Sequence, residues 1–360
     1  MKFEQVCLAS IGYVVPPIEV SSAWIEHELA DVYARLKLPE GRLEGMSGIR
    51  TRRMWEVGSR ISDRSAESCR NALQGAGIAS SEVGCLIHAS VCREYLEPAT
   101  ACRVHHLVGM PRAAWIYDVS NACLGVMNGA VQIAQLIEAG VINAGLVVGT
   151  EDSRGLMETT LTQLKNDREL TRQSIKPAFA SLTIGSGSCA WLLANRDWLE
   201  EKHHQAGMRF LGAVAVARTE FHGLCQSDSD QAGGGMSPLM NTDSEQLLEA
   251  GLATGKETFE CLTEELRWTR SQIDATVCHQ VGAAHRKRML ETLGLPVERD
   301  FATYHEYGNT GSVALPTALA RAIQSGGFSG LGRGAFLGIG SGVNSLMVGV
   351  EFGKVPVIGT

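Results

Sequence analysis

The chain has 360 residues, of which 44% are hydrophobic and 20% charged, with a formal net charge of −7. That length suffices for two domains, or for two halves sharing one core. The acidic balance argues against a general nucleic-acid-binding protein, which needs a basic face, and ten cysteines without a C-x-x-C pair suggest no metal centre and a reducing, cytoplasmic setting.

The opening "MKFEQVCLASIGYVV" has no secretory pattern, and no stretch approaches the roughly 18–20 apolar residues of a membrane span. Apolar runs of strand length fall at 5–14, 84–91, 114–119, 144–150, 185–194, 208–217, 274–279, 335–340 and 343–352. Helical spacing marks 62–76, 122–139, 244–268, 281–294 and 310–325. Strands alternating with helices predict an α/β fold of parallel strands covered on both faces. Charged residues 151–182 read as a cap over a site, and Gly/Ser/Asp-rich residues 222–243 as a surface loop. Cys85 and Cys189 lie in apolar runs, where a reduced cysteine acts as a small core residue.

The two halves echo one another. "WIYDVSNACLGVMNGAVQIAQLIEAG" leads into "AGLVVGTE", and "FATYHEYGNTGSVALPTALARAIQSGG" leads into "GAFLGIGSG". Each reads as strand, polar turn, small-residue helix, glycine stop and apolar strand. The expected division is an N-terminal half, 1–195, and a C-terminal half, 196–360, packed so that the two turns meet at one end.

Cys123 stands at the first of these joints. If it opens the helix, free N–H groups and the helix dipole favour a thiolate there and predict a lowered pKa. His279 in "VCHQVG" and Asn309 in "YGNTGS" also fall at strand-to-helix joints, whereas His285 and His305 read as structural. Ligands bind at the carboxyl ends of parallel strands, so a thiol, an imidazole and an amide can converge. The expected chemistry is nucleophilic attack by Cys123, with His279 and Asn309 donating hydrogen bonds to a developing enolate or oxyanion.

On "DVSNACLG", "CHQVG", "GNTGSVALP", "SGIRTRR" and "GIGSGVNS", which span nearly the whole chain, the sequence resembles the thiolase superfamily and, within it, the ketoacyl synthase III branch. The resemblance implies a five-layered αβαβα duplication, a homodimer and a Cys-His-Asn triad matching Cys123, His279 and Asn309. It also implies an oxyanion hole from the N–H groups of Cys123 and Ser341. Thiolases proper carry a second catalytic cysteine near the C-terminus. No cysteine follows Cys278 here, which disfavours the degradative reaction.

A condensation without decarboxylation needs a base for an α-proton. "REYLEP" offers Glu94, which also fits a plain loop carboxylate, and Glu97. "SVCREYLEPATA" is similar to the subgroup that joins two fatty acyl-CoAs head to head in olefin biosynthesis. That resemblance implies that Glu97 reaches the partner subunit's site and that the product is a 2-alkyl-3-ketoacyl-CoA, with no permanently bound cofactor. Arg50, Arg52 and Arg53 are candidates for the coenzyme A phosphates, which suit a guanidinium fork. Alternatives from the residues alone are a decarboxylating synthase using a malonyl donor, and an acyltransferase or thioesterase.

Overall fold

The computed structural model describes residues 1–227 and 240–359. Ten strands form one continuous ladder: β1 (Val6–Val14), β2 (Cys85–Ala89), β3 (Trp115–Val119), β4 (Ala144–Glu151), β5 (Gly187–Asn195), β6 (Met208–Ala217), β7 (Ala275–Cys278), β8 (Arg333–Gly340), β9 (Asn344–Glu351) and β10 (Val357–Gly359). Their order is β7-β8-β9-β6-β1-β5-β4-β2-β3, with β10 beside β1.

This order contains the same scheme twice. In the first half, β1 runs antiparallel to β5, β5 antiparallel to β4, and β4, β2 and β3 are parallel. In the second, β6 runs antiparallel to β9, β9 antiparallel to β8, and β8 and β7 are parallel. The counterpart of β3, a strand expected just before the Asn309 turn, shrinks to the single bridge Thr276–Asp300. The halves are joined where Cys7 and Leu8 of β1 pair with Arg209 and Met208 of β6.

Helices complete five layers. α1 (Ile61–Ala76) and α2 (Thr100–Val108) cover the outer face of the first half, and α3 (Gly125–Glu138) lies inside. α4 (Arg154–Asn166) lies in the segment expected as a cap. α5 (Ser244–Leu266) and α6 (Ala283–Leu293) cover the second half, and α7 (Ala314–Gln324) lies beside α3 in the central core. Eight of the eleven residues of α7 are buried, the pattern of a helix enclosed by protein on most sides. Small residues in α3 allow this closeness. A Cβ on Gly129 would stand 2.6 Å from Val147 of β4. Cys85 and Cys189 are fully buried in the same core.

The segment expected as a cap shares a hydrophobic cluster with an earlier part of the chain. Met157, Leu161 and Leu164 of α4, with Leu170 and Leu182, pack on Val20, Ile25, Leu29, Val32 and Leu43 from an earlier segment. Of the expected surface loop at 222–243, Cys225–Ser227 and Met240–Thr242 pair as a short ladder, and 228–239 lie outside the described residues. No described helix is long and apolar enough to cross a membrane.

Candidate active site

Cys123, the expected nucleophile, stands just before α3 rather than on it. α3 starts at Gly125 with Leu124 as its N-cap, and Ala122 adopts φ +44°. A left-handed conformation at a residue with a Cβ costs about 1–3 kcal/mol and tends to persist where surrounding structure fixes it. The surroundings here are close: a Cβ added to Gly125 would lie 2.8 Å from the Ala89 carbonyl oxygen and 3.4 Å from Ser312 Cβ. The start of the nucleophile's helix is thus pinned between the end of β2 and the turn that follows Asn309.

The Ser341 turn meets the Cys123 turn from the other side. A Cβ on Gly340 would lie 3.6 Å from the Cys123 nitrogen. Asn344 Nδ2 donates to the Ser341 carbonyl at 3.1 Å and to Asn121 Oδ1 at 3.3 Å, tying both turns together.

His279 follows the last residue of β7. Its N–H donates to the Leu337 carbonyl of β8, 3.0 Å away and one strand from the Ser341 turn. Asp300 accepts from the Cys278 N–H and Thr276 Oγ1, and pairs with Arg286 at 2.7 Å, which fixes the end of β7. Gln280 accepts the N–H groups of Thr303 and Tyr304 through Oε1, anchoring the segment that leads to Asn309. The Asn309 backbone exchanges hydrogen bonds with Thr183 and Gly185. Asn309 Oδ1 accepts the Gly311 N–H at 3.1 Å, so its Nδ2 is left as a donor.

Electrostatics correct one expectation. Burial pushes the Cys123 thiol up to about 12, and the Glu151 carboxylate and then Cys225 add to the effect. Cys123 precedes the N-cap, so it lacks the helical position on which the predicted lowering rested. Burial also holds His279 down at about 3, and His285 adds to this. The resting pair is therefore a neutral thiol and a neutral imidazole. Among the described residues, buried His279 Nδ1 has no hydrogen-bond partner, an uncommon state for a buried polar atom.

Other expected residues scatter. Glu94 is structural: Ser62 donates to it through N–H and hydroxyl, with Arg103 3.7 Å away. Glu97 is exposed on the loop between β2 and α2, beside exposed Tyr95 and Leu96. The arginines at 50–53 do not act together. Arg52 is fully buried, donating to Ser22 Oγ, and cannot meet a phosphate at the surface. Arg53 pairs with Glu19 at 2.8 Å, and Arg50, 4.0 Å from Glu306, keeps 62% of its side chain exposed. In "TRRM" the middle positions of a strand alternate in and out, so one arginine had to turn inward. Sequence reasoning assigned no role to Glu151, although a carboxylate closing the apolar run "AGLVVGTE" was a visible signal. Asn344, Gln280 and Asp300 carried no pattern to mark them.

Two family models match the chain: the thiolase N-terminal domain over residues 53–179, and the C-terminal domain of 3-oxoacyl-[acyl-carrier-protein] synthase III over 263–351. An acyl-CoA:acyl-CoA alkyltransferase of Shewanella oneidensis is 37% identical over 98% of this chain and 100% of its own length. The chain belongs to the acyl-CoA:acyl-CoA alkyltransferase family of the thiolase superfamily. Solved structures of a family member, OleA of Xanthomonas campestris, are similar throughout. A cysteine-to-serine variant with bound lauric acid and lauroyl-CoA has a TM-score of 0.89 at 31% identity, covering 97% of this chain and 100% of that one. A glutamate-to-glutamine variant has a TM-score of 0.90 at 30% identity, covering 98% of each chain. These alkyltransferase relatives share the five-layered thiolase fold built above.

Proposed function

We propose that this protein joins two fatty acyl-CoAs head to head, without decarboxylation, through an acyl group held on Cys123. The Cys123 sulfur attacks the first thioester, forming a new thioester bond as the bond to coenzyme A breaks, and the thiol proton leaves with the coenzyme A sulfur. The N–H groups of Cys123 and Ser341 hold the oxyanion. A second acyl-CoA then loses its α-proton to the partner subunit's Glu97. The neutral His279 and the Asn309 amide donate to the enolate oxygen. The enolate carbon attacks the acyl group, a carbon–carbon bond forms, the bond to sulfur breaks and the thiol recovers a proton. The product is a 2-alkyl-3-ketoacyl-CoA.

The convergence of the Cys123, Asn309 and Ser341 turns carries this reading, with an unpartnered imidazole nitrogen one strand away. The family supports the substrate class. Support for Glu97 comes from the Xanthomonas campestris variants: their altered glutamate and cysteine stand as far apart in sequence as Glu97 and Cys123. A homodimer fits the free edge of the sheet, where β3 has, among the described residues, β2 as its single neighbour, Trp115 is 58% exposed, and the loop after β2 exposes Tyr95 and Leu96. Pairing of two such edges would bury this apolar surface and bring each Glu97 loop to the other chain. Exposure of its side chain supports Arg50, rather than Arg52, as a partner for a coenzyme A phosphate.

The test is incubation of the purified protein with myristoyl-CoA alone and mass spectrometry of the products. A condensed β-keto product, or the ketone left after loss of carbon dioxide, is expected. Free myristate alone would assign a thioesterase, and turnover only with malonyl carrier protein would assign a decarboxylating synthase.

A further inference from the structure

One buried carboxylate has no part in the reaction sequence above. Glu151 closes β4 and is 5% exposed. Its partners are not cations. Oε1 accepts the Val91 N–H at 3.1 Å, the Ser312 N–H at 3.3 Å and the Ser312 hydroxyl, and Oε2 accepts the Cys92 N–H at 3.2 Å. Its backbone carbonyl accepts Trp55 Nε1–H at 3.0 Å. The fit is tight: Gly311 has φ +55°, and a Cβ there would stand 3.2 Å from Glu151 Cγ.

Those donors belong to two separate segments. Val91 and Cys92 begin the loop that carries Glu97, and Ser312 lies three residues after Asn309. Resting on the proposed roles of Glu97 and Asn309, we propose that Glu151 is a positioning residue that sets both segments from one anchor: the loop that carries Glu97 toward the partner subunit's site and the turn that carries Asn309 in the chain's own. Four donors already occupy its oxygens, which leaves the carboxylate poorly placed to take a substrate proton itself. A charged acceptor suits the task, because hydrogen bonds to an ionised oxygen are about twice as strong as neutral ones. Burying such a group among backbone N–H donors makes loss of the acceptor felt on both sides at once.

The test uses Glu151→Gln and Ser312→Ala in the full-length protein. Glutamine keeps the shape but turns an NH2 group toward donors on one side. Serine removal releases the Asn309 side alone, and is the milder change should Glu151→Gln fold poorly. In amide hydrogen exchange, Glu151→Gln is expected to speed exchange across both 91–98 and 309–313, and Ser312→Ala across 309–313 only. With lauroyl-CoA, the amount of acyl-Cys123 formed is expected to stay within about twofold of the parent, while condensation per acylated site falls about 10–100-fold, as for an ångström-scale misplacement. Unchanged exchange in both segments of Glu151→Gln would overturn the proposal. So would an unchanged ratio of condensation to acylation. A parent enzyme that forms no condensed product would instead count against the proposed reaction, and hydrogen exchange would still decide the role of Glu151.

Discussion

The resting state of Cys123 can be read directly by alkylation. An ordinary thiol, near 9, is about one-tenth thiolate at pH 8, whereas a thiol held up at about 12 is about 10⁻⁴ thiolate. The difference is roughly 10³-fold, or about 4 kcal/mol for three pKa units. The cause is burial, with the Glu151 carboxylate second. The assay treats the native protein with iodoacetamide from pH 7 to 10 and follows each cysteine by peptide mass spectrometry. Exposed Cys102 and Cys261 serve as internal references. Cys123 is expected to react about 10³-fold more slowly than these at pH 8, and its rate to climb about tenfold per pH unit without levelling off by pH 10. On the proposed mechanism, acylation by lauroyl-CoA should nonetheless be rapid, because the bound thioester would present its carbonyl to the N–H groups of Cys123 and Ser341 and the proton would move during attack. A rate that plateaus with a midpoint below pH 8 would mean a standing thiolate, and the picture of a neutral thiol beside a neutral imidazole would have to be abandoned.

Other outcomes follow from the same geometry. On the proposed dimer, co-expressed Cys123→Ala and Glu97→Ala chains should regain condensation, since the remaining thiol would face an intact Glu97 from the other subunit; no recovery in the purified mixed dimer would place the base elsewhere. Glu97→Ala alone should leave acylation intact and lower condensation by about 10²–10⁴-fold, the usual worth of a general base, as measured by product mass spectrometry. Gly125→Ala gains helix propensity of about 1 kcal/mol but puts a Cβ 2.8 Å from the Ala89 oxygen; acylation should fall about tenfold, and a parental acylation rate would show that the turn can yield freely. Burial holds His88 at about 4 and His279 at about 3, against 6.5 when unfolded. Protons therefore bind the unfolded chain first, and stability present above pH 6.5 is lost as pH falls toward those values, by about 1.4 kcal/mol per unit for each histidine. Glu151, raised by burial, opposes this in part. A melting temperature that does not fall between pH 6.5 and 4.5 would contradict the sign.

Much of the molecule was legible because its signals are local. Strand-length runs ending at Val119, Cys278 and Gly340, each followed by a polar or glycine-rich turn, marked the joints where function gathers. The match of "NAC" with "GNT" pointed to a duplicated unit, and the two pairing schemes bear that out. What stayed hidden depends on tertiary partners. The pKa of Cys123 is set by burial and by Glu151, not by its place in a run of letters. Arg52 looked like its neighbours until the strand turned it inward beside Ser22. The packing of 154–182 could not be read from that segment because half of its apolar cluster is supplied by residues 20–43, more than a hundred positions earlier. Asn344 matters through two contacts that join turns over two hundred residues apart in sequence.

The doubled strand scheme has a consequence for ancestry. On the proposed roles, the first copy would hold the sulfur and the second the imidazole, the amide and one oxyanion donor, so that neither copy alone would be equipped for the reaction. A forebear made of one such unit would have worked only as a symmetric pair, each member carrying every group in duplicate. Fusion of two such units into a single gene would release the copies from identity, and leave each free to discard what the other supplied.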